Sequence, residues 1–122
     1  MSPERVVIVG ASDNPERYSH RALQLLRKHG HEVLPVHPRL AEIEGIPVVA
    51  DVSLISGPVD TVTMYVGAAI SAGLQEKLIA LKPGRVIFNP GAENASLADA
   101  LQKAGIASED ACTLVLLNTG QF

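Results

Sequence analysis

Residues 6–23, VVIVGASDNPERYSHRAL, pass from an unbroken apolar run into a glycine, a polar turn and a helix-like segment. A run that is apolar at every position suits a strand covered on both faces, and such a strand requires helices on both sides of its sheet. The rest of the chain keeps this alternation. Strands are predicted over 5–9, 32–36, 61–66 and 85–89, with a short one at 47–49 and a last one over 113–117. Helices are predicted over about 19–28, 70–81 and 96–105, with a helical turn at 40–43. Ser19 is expected to cap the first helix and Gly30 to end it, while Ser96 with Asp99 has the pattern of a capping box. The pattern reads as α/β: a doubly wound parallel sheet in three α/β/α layers, formed by one domain over 1–122.

Composition narrows the partners. The 122 residues include two Tyr, two Phe and no Trp, so Val, Leu, Ile and Ala must build the core. A net charge of -3 with no basic stripe excludes sequence-independent nucleic-acid binding, which needs a cationic face. Cys112, the single cysteine, can form no intrachain disulfide, and no apolar run reaches membrane-spanning length. A soluble cytoplasmic protein is expected. No Cys/His cluster has metal-ligand spacing.

Ligands of doubly wound sheets lie beyond the carboxyl ends of the strands, where the winding reverses. Residues 10–19, 37–40, 65–69 and 89–94 should converge there. Gly10 permits close backbone approach, and the amides after it can face an anion. A dinucleotide fingerprint would place its second and third glycines where this chain has Ser12 and Pro15, so on motif grounds a plain βα turn fits equally. The second strand ends in VHPRL, with a cation at Arg39 and none of the carboxylates that serve NAD. A guanidinium there suits a ribose phosphate, the 2′-phosphate of NADP or the 3′-phosphate of coenzyme A, unless Arg39 simply sits on an exposed loop. Tyr65, Val66 and Gly67 could lie against such a ligand, or Tyr65 could be a core residue with a wet hydroxyl. Asn89-Pro90-Gly91-Ala92 offers a tight turn small enough for backbone contact, or a turn that serves geometry alone. Glu93 suits a site for phosphate only if it faces amides or hydroxyls.

Together, VVIVGASDNPERYSHRALQLLRKHGHEVLPVHPR and GRVIFNPGAENASLADALQKAGI resemble the small single-domain CoA-binding proteins of bacteria. These are similar to the amino-terminal CoA-binding domain of the succinyl-CoA synthetase α subunit. The resemblance implies a Rossmann-like fold with a pyrophosphate cradle at Gly10, Ala11 and Ser12, flanked by Arg17 and Ser19. It places Pro38 and Arg39 near the phosphorylated ribose. Tyr65, Val66 and Gly67 would face the adenine or pantetheine, with Asn89, Pro90, Gly91 and Ala92 opposite. Many relatives carry Gln-Leu-Gly where this chain has FNPG, end their last strand in cysteine and basic residues, and have asparagine at the place of His37.

Chemistry is harder to find. His20 follows Ser19 in one helical turn, and neighbours in sequence do not face each other as a dyad. Cys112 has no base beside it in sequence, and Lys28, Lys77, Lys82 and Lys103 are expected at helix ends remote from Tyr18 and Tyr65. A non-catalytic module binding coenzyme A or an acyl-CoA is therefore favoured over an enzyme. The alternative is a small NADP-binding oxidoreductase or nucleotide-sugar enzyme subunit. The apolar last strand and Phe122 would suit a sheet edge covered by a second copy or docked on another protein, or a strand buried in its own domain.

Overall fold

In the computed structural model, which describes residues 2–122, the first apolar run becomes β1, Arg5–Val9. It lies between β2, Glu32–Val36, and β5, Thr61–Met64, and the sheet continues through β6, Arg85–Phe88, to β7, Ala107–Asp110. All four pairings are parallel and in the order β2-β1-β5-β6-β7. Alternate residues of each strand serve opposite layers. Val6, Ile8 and Val33 pack against α1, Tyr18–Lys28, through Leu23 and Leu26, and against α5, Thr113–Asn118, through Leu117. Val7, Val9, Val62, Met64, Val86 and Phe88 form the other face. There they meet Leu78 of α3, Gln75–Leu81, and Leu97 and Leu101 of α4, Ala95–Lys103. The Rossmann-like three-layer class is thus realised.

Beyond β2 the sheet is reduced. A hairpin of β3, Glu42–Ile43, and β4, Ile46–Pro47, stands where a helical turn at 40–43 was expected. Glu44 and Gly45 take φ of 51° and 78°, the two consecutive left-handed residues of a primed hairpin turn, which no helix accepts. Instead of a strand at 47–49, Val49 alone makes a parallel bridge to Val36, through Val49 N to Pro35 O (2.9 Å) and His37 N to Val49 O (3.1 Å).

Several helix boundaries depart from expectation for local reasons. The Arg17 carbonyl accepts from the His20 and Arg21 amides, so α1 winds from Arg17, and Ser19 is buried inside it rather than capping it. The segment at 70–81 starts early, as α2, Ala68–Ser71, and passes through a 3-10 turn at Ala72–Leu74, containing Gly73, before α3. Asn94, not Ser96, caps α4: its side chain accepts from Leu97 N at 3.1 Å. The predicted last strand at 113–117 is helix α5. Thr113 and Leu117, four apart, are its buried residues, a helical period rather than a two-residue one. Its place in the sheet goes to β7, whose polar sequence ASED suits an edge paired on one side only. The end of the chain is no loose tail: the Phe122 ring lies 5.2 Å from that of buried His31 and 4.6 Å from the Arg85 guanidinium. Among the described residues no helix is long and apolar enough to cross a membrane.

Candidate functional site

The winding reverses between β1 and β5, and the crevice lies beyond their carboxyl ends. Gly10, at φ 86°, makes this possible. A Cβ on it would come within 2.8 Å of Val66 Cγ1 and 3.1 Å of the Tyr65 carbonyl carbon. The loop is then tied to both neighbours, by Ala11 N to Val36 O (3.2 Å) and Tyr65 N to Val9 O (2.9 Å).

From Ser12 onward the loop folds on its own side chains. Ser12 Oγ accepts from Asn14 N (3.1 Å), Asn14 Oδ1 from Glu16 N (3.0 Å), and the Asn14 carbonyl from Arg17 N (3.0 Å). The amides of Ser12, Asp13, Tyr18 and Ser19 take part in none of these bonds. Among the described residues four donors therefore stand unpaired in the loop and the first turn of α1, a turn that holds no acidic residue. Unpaired amides at a helix start carry partial positive charge and attract anions.

On the β2 side, His37 Nδ1 accepts from Arg39 N (3.0 Å) and Leu40 N (3.1 Å), which puts the ring proton on Nε2 and fixes the HPRL turn. Arg39 is exposed on the crevice wall and, among the described residues, forms no ion pair. Asp51 follows the Val49 bridge and lines the same wall. Its carboxylate accepts from the Ser53 hydroxyl and amide and, at 3.0 Å, from Lys77 Nζ. The Ser53 hydroxyl and then Lys77 hold it below the usual carboxylate range. Lys77 thus pairs with a residue of the crevice wall, although it does not itself line the crevice.

On the β5 side Val66, Gly67, Ile70 and Leu74 supply an apolar wall. The Tyr65 hydroxyl is not wet. It is buried beside Thr63 and Thr113, whose hydroxyls bond to each other (2.8 Å) and leave the phenol no well-aligned partner. Burial pushes its pKa up to about 12, with Thr113 opposing in part.

The crevice holds about 760 Å³, within the range of small-molecule sites. It brings together Gly10, Ala11, Ser12, Arg17, Ser19, Pro38, Arg39, Tyr65, Val66, Gly67 and Pro90 of the expected set. Asn89, Gly91 and Ala92 stand outside it. Asn89 is buried and spends its side chain internally, donating to Thr63 Oγ1 (2.7 Å) and Met64 O (2.8 Å) and accepting from Thr113 N (2.9 Å). Ala92 is part of the core, and the Gly91 amide donates to Glu93 Oε1 at 2.9 Å. Glu93 thus faces an amide. Tyr18 and His37 line the crevice as part of the segments expected to converge there, whereas Asp51 lines it without having been expected. For Asp51 the signal was present in the capping pattern Asp-Val-Ser after an apolar run. No group of three or more His, Cys, Asp or Glu among the described residues could hold a metal ion.

A sequence profile of the CoA binding domain matches residues 4–118. The chain belongs to the CoA binding domain family. Within a curated relative, the uncharacterized protein YneT of Bacillus subtilis (strain 168), it is 32% identical over 76 residues, 62% of this chain and 56% of the relative. Among solved structures, the crystal structure of an uncharacterized protein has TM-score 0.94 at 38% identity, covering 100% of both chains. A Thermus thermophilus protein, cell-free ID.343, has TM-score 0.90 at 28% identity, covering 98% of this chain and 91% of that one. For a CoA binding domain, an unpaired amide cradle beside an unpaired arginine is the feature of interest: both parts fit phosphate oxygens.

Proposed function

We propose that this chain binds coenzyme A, or an acyl-CoA, in the crevice beyond β1 and β5, as a binding module and not as a catalyst. The observation that carries the reading is that Ser12, Tyr18 and Ser19, whose amides are unpaired among the described residues, line one crevice with Arg39, which forms no ion pair among them. The pyrophosphate occupies the Gly10–Ser12 loop and the start of α1, where the amides donate and the helix dipole favours negative charge. Arg39 takes the 3′-phosphate of the ribose, with Pro38 beside it. Tyr65, Val66 and Gly67, with Pro90 opposite, line the adenine and pantetheine. No catalytic step is assigned, because His37 Nδ1 and the Asp51 carboxylate are engaged by neighbouring groups and the Tyr65 phenol holds its proton.

Calorimetry with coenzyme A, dephospho-CoA, acetyl-CoA, NADP and NAD tests this. Coenzyme A should bind and NAD should not. Dephospho-CoA should bind more weakly by about 1.5–3 kcal/mol, tenfold or more, for the lost charge-assisted bonds. Arg39→Gln should bring the two ligands together. Heat from NADP with none from coenzyme A would transfer the site to the oxidoreductase reading.

A further inference from the structure

Among the described residues four large apolar side chains stand exposed: Tyr18 (67%), Leu54 (67%), Ile70 (64%) and Val115 (55%). Leu54 and Val115 lie apart from the crevice, whereas Tyr18 and Ile70 both line it. A single exposed apolar residue is ordinary on a protein surface, but two in one ligand-sized cavity mark apolar surface that a ligand can cover. The two come from opposite layers. Tyr18 opens α1, which packs on the face of Val6 and Ile8. Ile70 belongs to α2, whose continuation at Leu74 packs on the face of Val62 and Phe88. Each wall of the crevice therefore carries one exposed apolar side chain.

Neither side chain contributes to the core. The Tyr18 phenol enters no hydrogen bond among the described residues, and the Arg21 guanidinium, one helical turn on, lies over the ring at 5.5 Å from its centroid. A cation on one face leaves the other face for a second partner. The turn that carries Tyr18 is anchored: His20 is buried, with Nδ1 2.8 Å from the Ser12 carbonyl oxygen and Nε2 paired with the Glu44 carboxylate. The turn that carries Ile70 is anchored too. Ser71, the buried residue of α2, accepts from Asn94 Nδ2 at 2.9 Å, and the Ile70 and Ser71 amides donate to the Gly67 carbonyl at 3.1 and 3.0 Å. The β branch of Ile70 further restricts its χ1, so both side chains are presented in place before any ligand arrives.

We propose that Tyr18 and Ile70 are the two jaws of a clamp on a planar heteroaromatic base, the adenine of the ligand, and that they make the site select a nucleotide rather than its phosphates alone. The assignment rests on the function proposed above. There the amide cradle takes the pyrophosphate on C5′ of the ribose and Arg39 takes the phosphate on C3′, which leaves the base on C1′ still to be housed. The Tyr18 amide is one of the unpaired donors, so its ring starts beside the bound anion. A purine has two π faces; one suits the open face of an aromatic ring and the other a branched aliphatic side chain. The pantetheine arm is a chain with two amides, to which the Ile70 side chain offers neither donor nor acceptor.

Because both side chains are exposed, replacing them leaves the core intact. Calorimetry on the whole chain compares wild type with Tyr18→Ser, Ile70→Ser and, as a control, Leu54→Ser, which is equally exposed but outside the crevice. The ligands are coenzyme A, adenosine 3′,5′-bisphosphate, methyl riboside 3,5-bisphosphate, which lacks the base, and 4′-phosphopantetheine. Tyr18→Ser should weaken both adenine ligands by about tenfold and Ile70→Ser by about fivefold, with Leu54→Ser unchanged. On the wild type the base-free bisphosphate should bind at least about tenfold more weakly than its adenosine counterpart, and each crevice variant should narrow that gap. Nuclear Overhauser contacts should connect adenine H2 or H8 with the Tyr18 ring and the Ile70 methyl protons. Crevice variants that bind adenosine 3′,5′-bisphosphate as the wild type does, an equal loss for the base-free ligand, or losses confined to 4′-phosphopantetheine overturn the clamp while coenzyme A binding stands. No heat from coenzyme A on the wild type refutes the functional reading itself, and the clamp with it.

Discussion

Asn89 is where ligand contact and structural support make opposite predictions. Asn89→Asp keeps the volume and keeps an acceptor for Thr113 N, but it replaces the amide that donates to Thr63 Oγ1 and Met64 O. The Thr63 hydroxyl can rotate to donate to the new oxygen, at the expense of its bond to Thr113. The Met64 carbonyl cannot, so two acceptors face each other across 2.8 Å. A buried charge left without compensation costs about 3–5 kcal/mol. At 122 residues, each kcal/mol moves the midpoint of unfolding by about 4 °C, so a drop of roughly 12–20 °C is expected. Circular dichroism melting measures it, and calorimetry well below the new midpoint should find coenzyme A bound within about twofold of wild type, as for a side chain that makes no ligand contact. A variant that melts with the wild type and loses coenzyme A tenfold would place Asn89 in the site and refute the network.

Gly10→Ala forces a Cβ into left-handed backbone, which costs about 1–2 kcal/mol, and against Val66. Thermal shift should fall and coenzyme A affinity should drop at least tenfold, whereas an unaltered protein would mean that the β1 and β5 ends are farther apart. Tyr65 has a phenol raised by burial to about 12, so stability should be intact below the ordinary tyrosine range near 10 and decline as pH rises towards 12. Urea unfolding of Tyr65→Phe should lack that decline, and a matching alkaline loss in both proteins contradicts it. His31 is held below its ordinary value by burial, and its Nδ1 accepts from Glu4 N at 2.9 Å. Its contribution should be present above about pH 6.5 and fade as pH falls through the lowered value, a slope that His31→Gln should reduce in acid denaturation.

Strands buried on both faces were the legible part of this fold. β1 and β2 match their predicted bounds, and β6 falls one residue short, because VVIV, VLPV and VIF each carry apolar side chains to both layers. β7 was invisible for the converse reason: with one neighbour and solvent beyond, ASED needs no apolar run. The apolar TLVLL then looked like the missing strand, and only the burial of Thr113 with Leu117 discloses its helical period. Within the site, backbone-defined positions such as Gly10, Ser12 and Gly67 could be placed from strand ends alone. The His20–Glu44 and Asp51–Lys77 pairs could not, since their partners lie 24 and 26 positions apart in sequence and are brought together only by packing. Asn89 misled because a polar residue at a strand end looks the same whether it turns to the ligand or, as here, to the first turn of a neighbouring helix.

The reduced edge of the sheet has a consequence for charge. With the Val49 bridge counted as a strand, the order outward from β1 runs β1, β2, bridge, as in a full dinucleotide fold, but the wall beyond β2 is only as wide as residues 50–52. Asp51 on that narrow wall would oppose a phosphate at Arg39 if its charge stood alone. Lys77 reaches it from α3 at 3.0 Å and cancels the charge at short range; both groups are partly exposed, so the pair is worth little to stability. Its effect falls on the crevice potential. Among the described residues Arg39 is left without an ion-pair partner, the amide cradle without an acid in its helix turn, and Asp51 with a cation beside it, so a chain of net charge -3 presents a locally positive pocket. That local sign, not the overall charge, is what a doubly phosphorylated adenosine would meet.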